Sequence, residues 1–405
     1  MVEPPGLAEN AVVSFPLPCP WPFAPPSEYL RVQDTAPVCP VATHEGHPWL
    51  VTRYADVRAA LADPRFSADL RRDGYPVLAP GQREAVASMP PTMAGMDAPE
   101  HTVIRRRIQE EFGTRRVRAM EPDIQRIVDA AFDAIENARG GPVDLVKALA
   151  LPVPSAVICM LLGIPYADHD WFNDRTTAAF RRETSAADRV GVFTELMSYL
   201  DRLVRDKEAD PPDDLLGRQI RLLREAGEYD HDELVSLANL LLIAGHETTA
   251  GMITVSVARL LTDDELRHEL ARDPARIPEA IEEFLRYFTI AQQALLRVAN
   301  EDVVVGGVTI RKGEGVVLSV QAANRDPRAF SEPDELRIGQ GRGHLAFGHG
   351  AHQCVGAKLA RTELRIVLET LLRRRPDFRP AAPIEHLSCK ESINVCGLEE
   401  LPVVW

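Results

Sequence analysis

A cysteine in a glycine-rich segment gives this sequence its strongest chemical signal. Cys354 follows the run FGHGAHQ at positions 347–353 and stands just before an amphipathic stretch that begins at Ala357. The pattern predicts a loop that runs directly into a helix. Free backbone N–H groups and the positive end of the helix dipole meet at such a junction, and both stabilise a thiolate. Cys354 is therefore a candidate ligand for iron.

Two alternatives stay open for this cysteine loop. The first is a buried cysteine without chemistry, since cysteine commonly serves as a small apolar core residue. The second is a zinc or non-haem iron site that uses Cys354 together with neighbouring histidines, namely His344, His349 and His352. The glycines of this loop instead favour binding of a large planar cofactor. Residues without a Cβ let the backbone turn tightly and lie against such a group. These glycines are Gly348, Gly350 and Gly356.

A second chemical signal lies inside a long helix that the pattern predicts over about residues 232–261. The run AGHETT at 244–249 contains a glycine and two threonines mid-helix, and glycine there costs about 1 kcal/mol relative to alanine. Gly245 lets another group approach the helix backbone, and a threonine hydroxyl that bonds to a carbonyl can loosen the helix. Asp230 and Glu233 resemble a capping box at the start of this helix. Taken alone, Glu247 could be a solvated surface residue.

Glu283 and Arg286 form a third motif, ExxR. Residues three apart share one face of a helix, so this pair is expected to form a salt bridge. An isolated pair of this kind is commonly a surface ion pair of little value. Its place in the chain, after the Glu247 helix and before the Cys354 loop, is what makes it informative.

In this order, the motifs resemble the cytochrome P-450 family, and most closely the soluble 105-type members of actinomycetes. Residues 347–356 match the family's FGxGxHxCxG haem loop at every fixed position, and residues 244–249 match its [AG]-G-x-[DE]-T-[TS] helix motif. The resemblance implies a monooxygenase that uses haem b and inserts one oxygen atom from O₂ into a substrate C–H bond. It makes Cys354 the axial iron ligand, and Glu247 and Thr248 the acid and alcohol that deliver protons on the opposite side of the haem.

The resemblance also implies which residues hold the haem and support the fold. The cofactor-binding set consists of His101, Arg105, Arg297, Phe347, His352, Cys354 and Gly356. Glu283 and Arg286 would support the fold and the haem loop. The family usually completes this ion-pair network with an arginine before the loop, and either Arg337 or Arg342 could take that role. The GxGxG run at 339–343 is not interpreted as a nucleotide loop, because His344 stands at the last glycine of GxGxxG.

The segments that form the substrate pocket in this family include, in this chain, residues 290–296 and the strand near residue 394, which are largely apolar except for Gln292, Gln293 and Asn394. The pocket candidates in this chain are Leu240, Ala244, Ile290, Gln292, Gln293 and Asn394. Such a lining suits a bulky, mostly hydrophobic molecule. We therefore expect hydroxylation of a secondary metabolite or a xenobiotic, with polyketides, terpenoids and steroid-like compounds all open.

We expect electrons to come from a separate ferredoxin and ferredoxin reductase, because the sequence contains no flavin or nucleotide module. A basic patch is the candidate docking face for the ferredoxin, and its members are Arg105, Arg106, Arg107, Arg115, Arg116, Lys358 and Arg361. The alternative is that these residues are simply solvated helix faces. Two other protein classes stay open, a gas-binding haem protein and a non-haem metal protein. The acid–alcohol pair argues against the gas binder.

The composition of the whole chain narrows its class and location. The 405 residues are 45% hydrophobic and 26% charged, as in globular proteins. A formal charge of −14 disfavours nucleic acid as the main partner. The six cysteines form no CxxC pair, and neither a signal peptide nor an apolar run of about 18 residues is visible. These features predict a reduced, cytoplasmic protein without a membrane anchor, and we expect a monomer.

The predicted fold class is mainly α with small β-sheets, in a single domain over residues 1–405. The proline-rich first 40 residues are expected to wrap the surface without regular structure. A strand is predicted near 47–54, a helix over 55–62, and helices through most of 117–261. Residues 303–305 and 308–310 flank two glycines and predict a hairpin. Residues 392–395 form a weaker strand signal.

Overall fold

Thirteen α-helices and ten short strands have defined bounds in the part of the chain that the computed structural model describes. That part comprises residues 14–17, 25–88, 90–137, 141–168, 171–172, 174–175, 178, 184–290, 295–389, 395 and 397–405. The helices are α1 (Ser27–Thr35), α2 (Tyr54–Ala62), α3 (Gln82–Ser88), α4 (Glu100–Gln109), α5 (Thr114–Asn137), α6 (Pro152–Leu162), α7 (Ala186–Ala209), α8 (Leu215–Ala226), α9 (His231–Thr262), α10 (Asp264–Arg272), α11 (Ile277–Phe288), α12 (Val320–Ala323) and α13 (Ala357–Arg374). The strands are β1 (Val38–Pro40), β2 (Trp49–Val51), β3 (Phe66–Ser67), β4 (Val143–Asp144), β5 (Leu296–Ala299), β6 (Val303–Val305), β7 (Val308–Ile310), β8 (Gly315–Leu318), β9 (Arg379–Pro380) and β10 (Pro402–Val404). The predicted fold class is confirmed.

Helix α9 is the central element of the helical part. Asp230 accepts a hydrogen bond from the Glu233 N–H at 2.9 Å and so caps the first turn, as the sequence predicts. The helix packs on α6, α7 and α13, and residues of all four helices belong to one apolar core. Apolar side chains surround most of α9, which is the pattern of a helix held by packing on all sides.

Within the described residues, α9 is also the one helix that is long and apolar enough to cross a membrane by length and composition. In the most apolar 18-residue stretch of this helix, 72% of the residues are buried inside the protein. Core helices of globular proteins share this property, because burial on all sides requires an apolar surface.

A five-stranded sheet with the order β1-β2-β8-β5-β3 forms the second part of the fold. Strands β2 and β8 run parallel, with Leu50 opposite Val317, and the other neighbours are antiparallel. Strand β5 lies between β8 and β3 and pairs Arg297 with Val316, which fixes that arginine on an interior strand. Two smaller sheets are formed by β4-β10-β9 and by β6-β7.

Most local predictions agree with these elements, and one is wrong. The strand and helix predicted over 47–62 correspond to β2 and α2, and the predicted hairpin is β6-β7, with φ of 56° and 84° at Gly306 and Gly307. The N-terminal 40 residues are not free of regular structure, because α1 forms directly after the prolines end. Tyr29 and Val32 of α1 share a face and are buried in the core, and this packing favours the helix. Residues 392–394 of the weaker strand lie outside the described residues.

Candidate active site

Cys354 lies at the end of a tight loop whose backbone depends on glycine. Gly348 and Gly350 have φ of 70° and 74°, in the left-handed region that glycine adopts without strain. A Cβ on Gly350 would lie 2.6 Å from the carbonyl oxygen of Leu61, so a side chain there would displace α2. The Cys354 N–H donates to the Phe347 carbonyl at 2.8 Å and closes the loop just before α13.

The side chain of Cys354 is accessible, although many protein atoms surround its thiol. Burial raises the pKa of this thiol, while a hydrogen bond from the Gly356 backbone and the charges of Arg105 and Arg361 lower it. These are the interactions that stabilise a thiolate, and a bound metal cation would add to them. Gly356 has φ of −80°, which any residue adopts, so its backbone does not itself require glycine.

Basic side chains from α4, β5 and the cysteine loop converge beside this thiol. The rings of His101 and His352 lie 4.0 Å apart between centroids. Burial, with the nearby charges of His101 and Arg297, lowers the pKa of His352 to about 3. Burial and the charge of Arg105 likewise lower the pKa of His101, against a weaker opposite effect of Asp97. Both shifts favour the uncharged imidazole, so the positive charge at this place comes from Arg105 and Arg297.

Arg297 carries its positive charge in the protein interior. Its side chain is buried, and its Nη1 donates to the Leu296 carbonyl at 2.7 Å. Burial lowers the pKa of Arg297, and no carboxylate among the described residues forms a salt bridge with it. A buried guanidinium is expensive unless an anion pairs with it. The cluster is therefore suited to an anionic ligand with carboxylate groups.

The AGHETT segment of α9 lies where this buried helix becomes partly accessible. Leu240, Ala244 and Thr248, each four residues from the next, are accessible, whereas most of their neighbours on the helix are buried. The Thr248 hydroxyl donates to the Ala244 carbonyl at 2.7 Å, as predicted for a threonine that back-bonds in this helix. A Cβ on Gly245 would lie 3.1 Å from Cδ1 of Ile158, so the group that approaches the backbone here is α6.

Glu283 and Arg286 form the predicted pair and are completely buried. Arg286 donates to Glu283 through Nε at 2.9 Å and Nη2 at 2.8 Å, and its other bonds go to the carbonyls of Asn324, Pro333 and Glu335. This network ties α11 to residues 324–335, which precede the cysteine loop. Breaking one half of such a buried pair is strongly destabilising.

Neither candidate arginine completes this network with its side chain. The backbone N–H of Arg337 donates to Glu283 at 2.7 Å, and the Gln340 side-chain amide donates to the same oxygen at 3.2 Å. The Arg337 side chain instead pairs with Glu332 and Glu335. Arg342 is 83% exposed and approaches Glu279 at 3.5 Å. A backbone group and an amide therefore take the place of the usual arginine.

Backbone conformation and close packing explain the glycines of the GxGxG run. Gly339 and Gly343 have φ of 104° and 83°. A Cβ on Gly341 would lie 2.4 Å from the backbone carbonyl carbon of Glu282. The segment around Gly341 can therefore pack against α11 only because this residue has no side chain. These constraints explain the run without a bound nucleotide.

The predicted pocket residues fall partly within the described chain. Leu240 and Ala244 lie on the accessible line of α9, and Ile290, just after α11, is buried. Gln292, Gln293 and Asn394 lie outside the described residues. Among the residues that the structure describes, no three His, Cys, Asp or Glu side chains converge on a point that could hold a metal ion.

The accessible thiol of Cys354, with the guanidinium groups of Arg105 and Arg297 nearby, fits an anionic cofactor that carries a metal. Comparison with known proteins agrees with this class. The family model described as Cytochrome P-450 matches residues 186–375. Pentalenic acid synthase of Streptomyces avermitilis is 43% identical over 100% of both chains.

Solved structures are similar over the same extent. The crystal structure of cytochrome P-450 MoxA from Nonomuraea recticatena, of the 105 group, has 48% identity and a TM-score of 0.91, and covers 98% of this chain and 99% of that chain. The mycinamicin VIII C21 methyl hydroxylase of Micromonospora griseorubida, bound to mycinamicin VIII, has 38% identity and a TM-score of 0.90, and covers 97% of this chain and 100% of that chain.

The chain belongs to the cytochrome P-450 family, and the predicted resemblance to the 105 group is confirmed. It is a monooxygenase that uses haem and molecular oxygen. The residues present fit haem on geometric and electrostatic grounds. The accessible thiol suits the iron, and the guanidinium groups of Arg105 and Arg297 suit two propionate carboxylates.

Proposed function

We propose that this monooxygenase hydroxylates a bulky, mostly hydrophobic small molecule, a secondary metabolite or a xenobiotic. The observation that carries this proposal is the accessible line of α9, in which Leu240 and Ala244 lead along an otherwise buried helix to the hydroxyl of Thr248. An apolar wall that ends at a single polar group suits a hydrophobic substrate with one reacting position. The names of the relatives, pentalenic acid synthase and mycinamicin VIII C21 methyl hydroxylase, are consistent with this class.

A ligand screen tests this proposal. Ferric enzyme is titrated with macrolides, terpenoids and steroids, and with small polar compounds of matched solubility. Binding that displaces water from the iron moves the haem absorbance band to shorter wavelength. We expect the shift with bulky apolar compounds. A screen in which only the small polar compounds produce it would contradict the proposal.

In the proposed site, Cys354 holds the iron and the basic cluster holds the propionates. The haem supplies the redox and oxygen chemistry when bound. Gly356 N–H and Arg105 stabilise the sulfur as thiolate. Arg297 gains an anionic partner that offsets the cost of its burial, and the uncharged rings of His101 and His352 can donate hydrogen bonds to the same carboxylates. The bound carboxylates would thus complete a charge balance that the protein alone leaves positive.

Arg297 gives a direct test of the propionate assignment. Replacing it with leucine in Arg297→Leu removes a charge-assisted hydrogen bond, worth about 1.5–3 kcal/mol, and should weaken haem binding about ten- to hundredfold. The measurement is the rate of haem transfer from the holoenzyme to excess apomyoglobin. Arg65→Leu, at an exposed arginine paired with Asp63 just before β3, is the control and should not change this rate. Unchanged haem retention in folded Arg297→Leu would count against the assignment.

Glu247 and Thr248 are proposed to manage protons. Glu247 is buried, and a buried carboxyl can pass protons where bulk water does not reach. The back-bond from Thr248 to Ala244 holds the hydroxyl in one orientation and leaves its lone pairs as acceptors. In this proposal the Glu247 carboxyl supplies protons and the Thr248 hydroxyl accepts a hydrogen bond on the accessible side of the helix.

The electrons are proposed to come from a separate ferredoxin and reductase, with a smaller docking face than the sequence predicts. Three of the seven predicted basic residues are half-buried and interact with other groups of this protein. Arg105 acts on the Cys354 thiol, and Arg107 pairs with Glu228 and Glu233 at 2.8 and 2.7 Å. Arg361 pairs with a carboxylate of α11.

The remaining docking candidates lie on the surface. Arg106, Arg115 and Lys358 are exposed, and Arg116 approaches Glu111 at 3.6 Å. Lys358 Nζ donates to the Thr114 hydroxyl at 2.9 Å, so the first turns of α13 and α5 are adjacent. Arg115 and Lys358 therefore belong to one basic surface beside the proposed ligand loop.

Charge reversal tests this docking surface. The double variant Arg115→Glu/Lys358→Glu should slow the first electron from ferredoxin on the order of tenfold or more at low salt, because steering by opposite charges raises association rates. The difference should shrink as salt is added. Lys312→Glu, in the turn between β7 and β8, is the matched control. Equal first-electron rates in double variant and wild type at low salt would show that ferredoxin docks elsewhere.

We also propose a single domain over residues 1–405, a cytoplasmic location and a monomeric state. Support for one domain comes from Arg286, which joins helix α11 to the carbonyls of Asn324, Pro333 and Glu335. Support for the cytoplasm comes from Cys39, Cys159 and Cys354, which form no disulfide bond within the described part of the chain.

A further inference from the structure

A second ion-pair cluster lies beside Glu283 and is not part of the ExxR network. Glu282 of α11 accepts hydrogen bonds from Arg361 of α13, through Nε at 2.5 Å and Nη2 at 2.8 Å. This bidentate salt bridge joins the two helices. Burial would raise the pKa of Glu282, but Arg361 and His344 lower it to about 2, so the carboxylate is ionised.

His344 extends this cluster into the loop before Cys354. Its Nδ1 accepts the Ala346 N–H at 3.1 Å, so the ring proton resides on Nε2. That Nε2 lies 3.3 Å from Glu282 Oε2, off the line of a hydrogen bond. The His344 side chain is 3% exposed, so the loop brings it to Glu282 as a packed group.

Arg361 connects this cluster to the cysteine. Its guanidinium carbon lies 4.5 Å from the centre of the Phe347 ring, a cation–π distance. The carbonyl of Phe347 accepts the Cys354 N–H at 2.8 Å. The charge of Arg361 is also one of the interactions that oppose burial at the Cys354 thiol. Glu282 offsets part of this charge, since it pairs directly with the same guanidinium.

All three nitrogens of Arg361 have acceptors within the protein. Nε and Nη2 donate to Glu282, and Nη1 donates to the Ala357 carbonyl at 3.2 Å. Its side chain is 35% exposed. The residue is therefore directed toward the loop and α11 rather than toward a docking partner.

We infer that Glu282 and Arg361 are positioning residues that set the reduction potential of the haem, by holding Phe347 and by determining the net charge beside Cys354. This inference rests on the proposed ligation of iron by Cys354. Reduction adds negative charge at the metal, so positive charge nearby favours the reduced form. Loss of the Glu282 charge should raise the potential, and loss of the Arg361 charge should lower it. If the pair only stabilised the conformation of the loop, loss of either residue would weaken the same contact. The two single variants would then shift the reduction potential in the same direction.

Midpoint potentials of the holoenzyme, from spectroelectrochemical titration without substrate, test this inference. Glu282→Gln should shift the potential upward and Arg361→Gln downward. The double variant should return toward the wild-type value, because the two charges are removed together. Glu279→Gln is the control, since Glu279 stands on the same helix and approaches Arg342 of the same loop at 3.5 Å, with 49% and 83% exposure. Water screens such an exposed pair, so no shift is expected there.

Shifts of the same sign, or no shift, in the folded single variants would overturn the inference. If Arg361→Gln does not retain haem, Glu282→Gln decides alone, and a zero or downward shift overturns it. The reduced carbon monoxide spectrum separates the two proposals. Absence of the thiolate-type band in the wild type would refute ligation by Cys354, whereas a normal band with unmoved potentials would refute only the role of Glu282 and Arg361.

Discussion

Replacing Cys354 with histidine is expected to abolish the long-wavelength band of the reduced carbon monoxide complex and to eliminate hydroxylation. Thiolate donates more electron density to iron than a neutral imidazole does, and that density favours cleavage of the O–O bond. The loop would still present a side chain at the same position, because the Cys354 N–H bond to Phe347 and the turns at Gly348 and Gly350 involve backbone. Haem should therefore be retained in part while its spectrum changes type.

The reduced carbon monoxide difference spectrum, normalised to total haem, is the measurement. Cys389→Ser is the matched control, because Cys389 is half-buried and lies outside the loop, so its replacement should leave the band unchanged. Persistence of the thiolate-type band in Cys354→His would refute the assignment. So would a folded wild-type protein that lacks the band.

Replacing Thr248 with alanine is expected to divert electrons from product into hydrogen peroxide while haem binding stays intact. The Thr248 hydroxyl is held by the Ala244 carbonyl at 2.7 Å and lies on the accessible line of α9. Without it, protons are no longer delivered in order, and reduced oxygen leaves before the bond is split. The measurement is product formed per NADPH consumed, together with peroxide released.

Replacing Glu247 with glutamine should slow product formation by about 10²–10⁴-fold, the range of general acid–base contributions. Glutamine keeps the shape and hydrogen-bonding capacity of the buried side chain but cannot donate and regain a proton at neutral pH. A solvent isotope effect larger in Glu247→Gln than in the wild type is the second measurement. An unchanged turnover rate would show that protons arrive by another route.

Thr254→Ala is the control for both variants of α9. Thr254 makes the same kind of back-bond, from its hydroxyl to the Ala250 carbonyl at 2.8 Å, but its side chain is buried in the core. Its removal tests whether loosening the helix is enough to uncouple the enzyme. If Thr254→Ala released as much peroxide as Thr248→Ala, helix distortion would explain the effect and the proton role would be withdrawn.

Features that depend on neighbouring residues are predictable from the sequence alone. The cap of α9 follows from Asp230 and Glu233, and the hairpin β6-β7 follows from Gly306-Gly307 between two β-branched runs. The ExxR pair follows from the spacing of one helical turn. Each of these signals is contained within a few residues, so no distant contact is needed to specify it.

Features that depend on distant partners are not predictable in this way. Arg107 and Arg361 look like free surface charges in the sequence, yet their carboxylate partners stand 121 and 79 residues away along the chain. The place of the usual network arginine is taken by the backbone of Arg337 and the amide of Gln340, and no pattern of residue types reveals a backbone donor. Helix α1 forms after a proline-rich run because the core buries Tyr29 and Val32.

The sequence by itself indicated the kind of chemistry, and it predicted the haem loop and the acid–alcohol segment that are proposed here, because each motif is a short run with its own backbone geometry. Tertiary structure decided how the charges are distributed. It directed Arg105 and Arg361 toward Cys354 and left Arg115 and Lys358 on the surface. It also brought Glu282 against Arg361, with His344 beside it. An ionic interaction depends on the distance between two side chains and on the water excluded between them, and both are set only when separate helices pack.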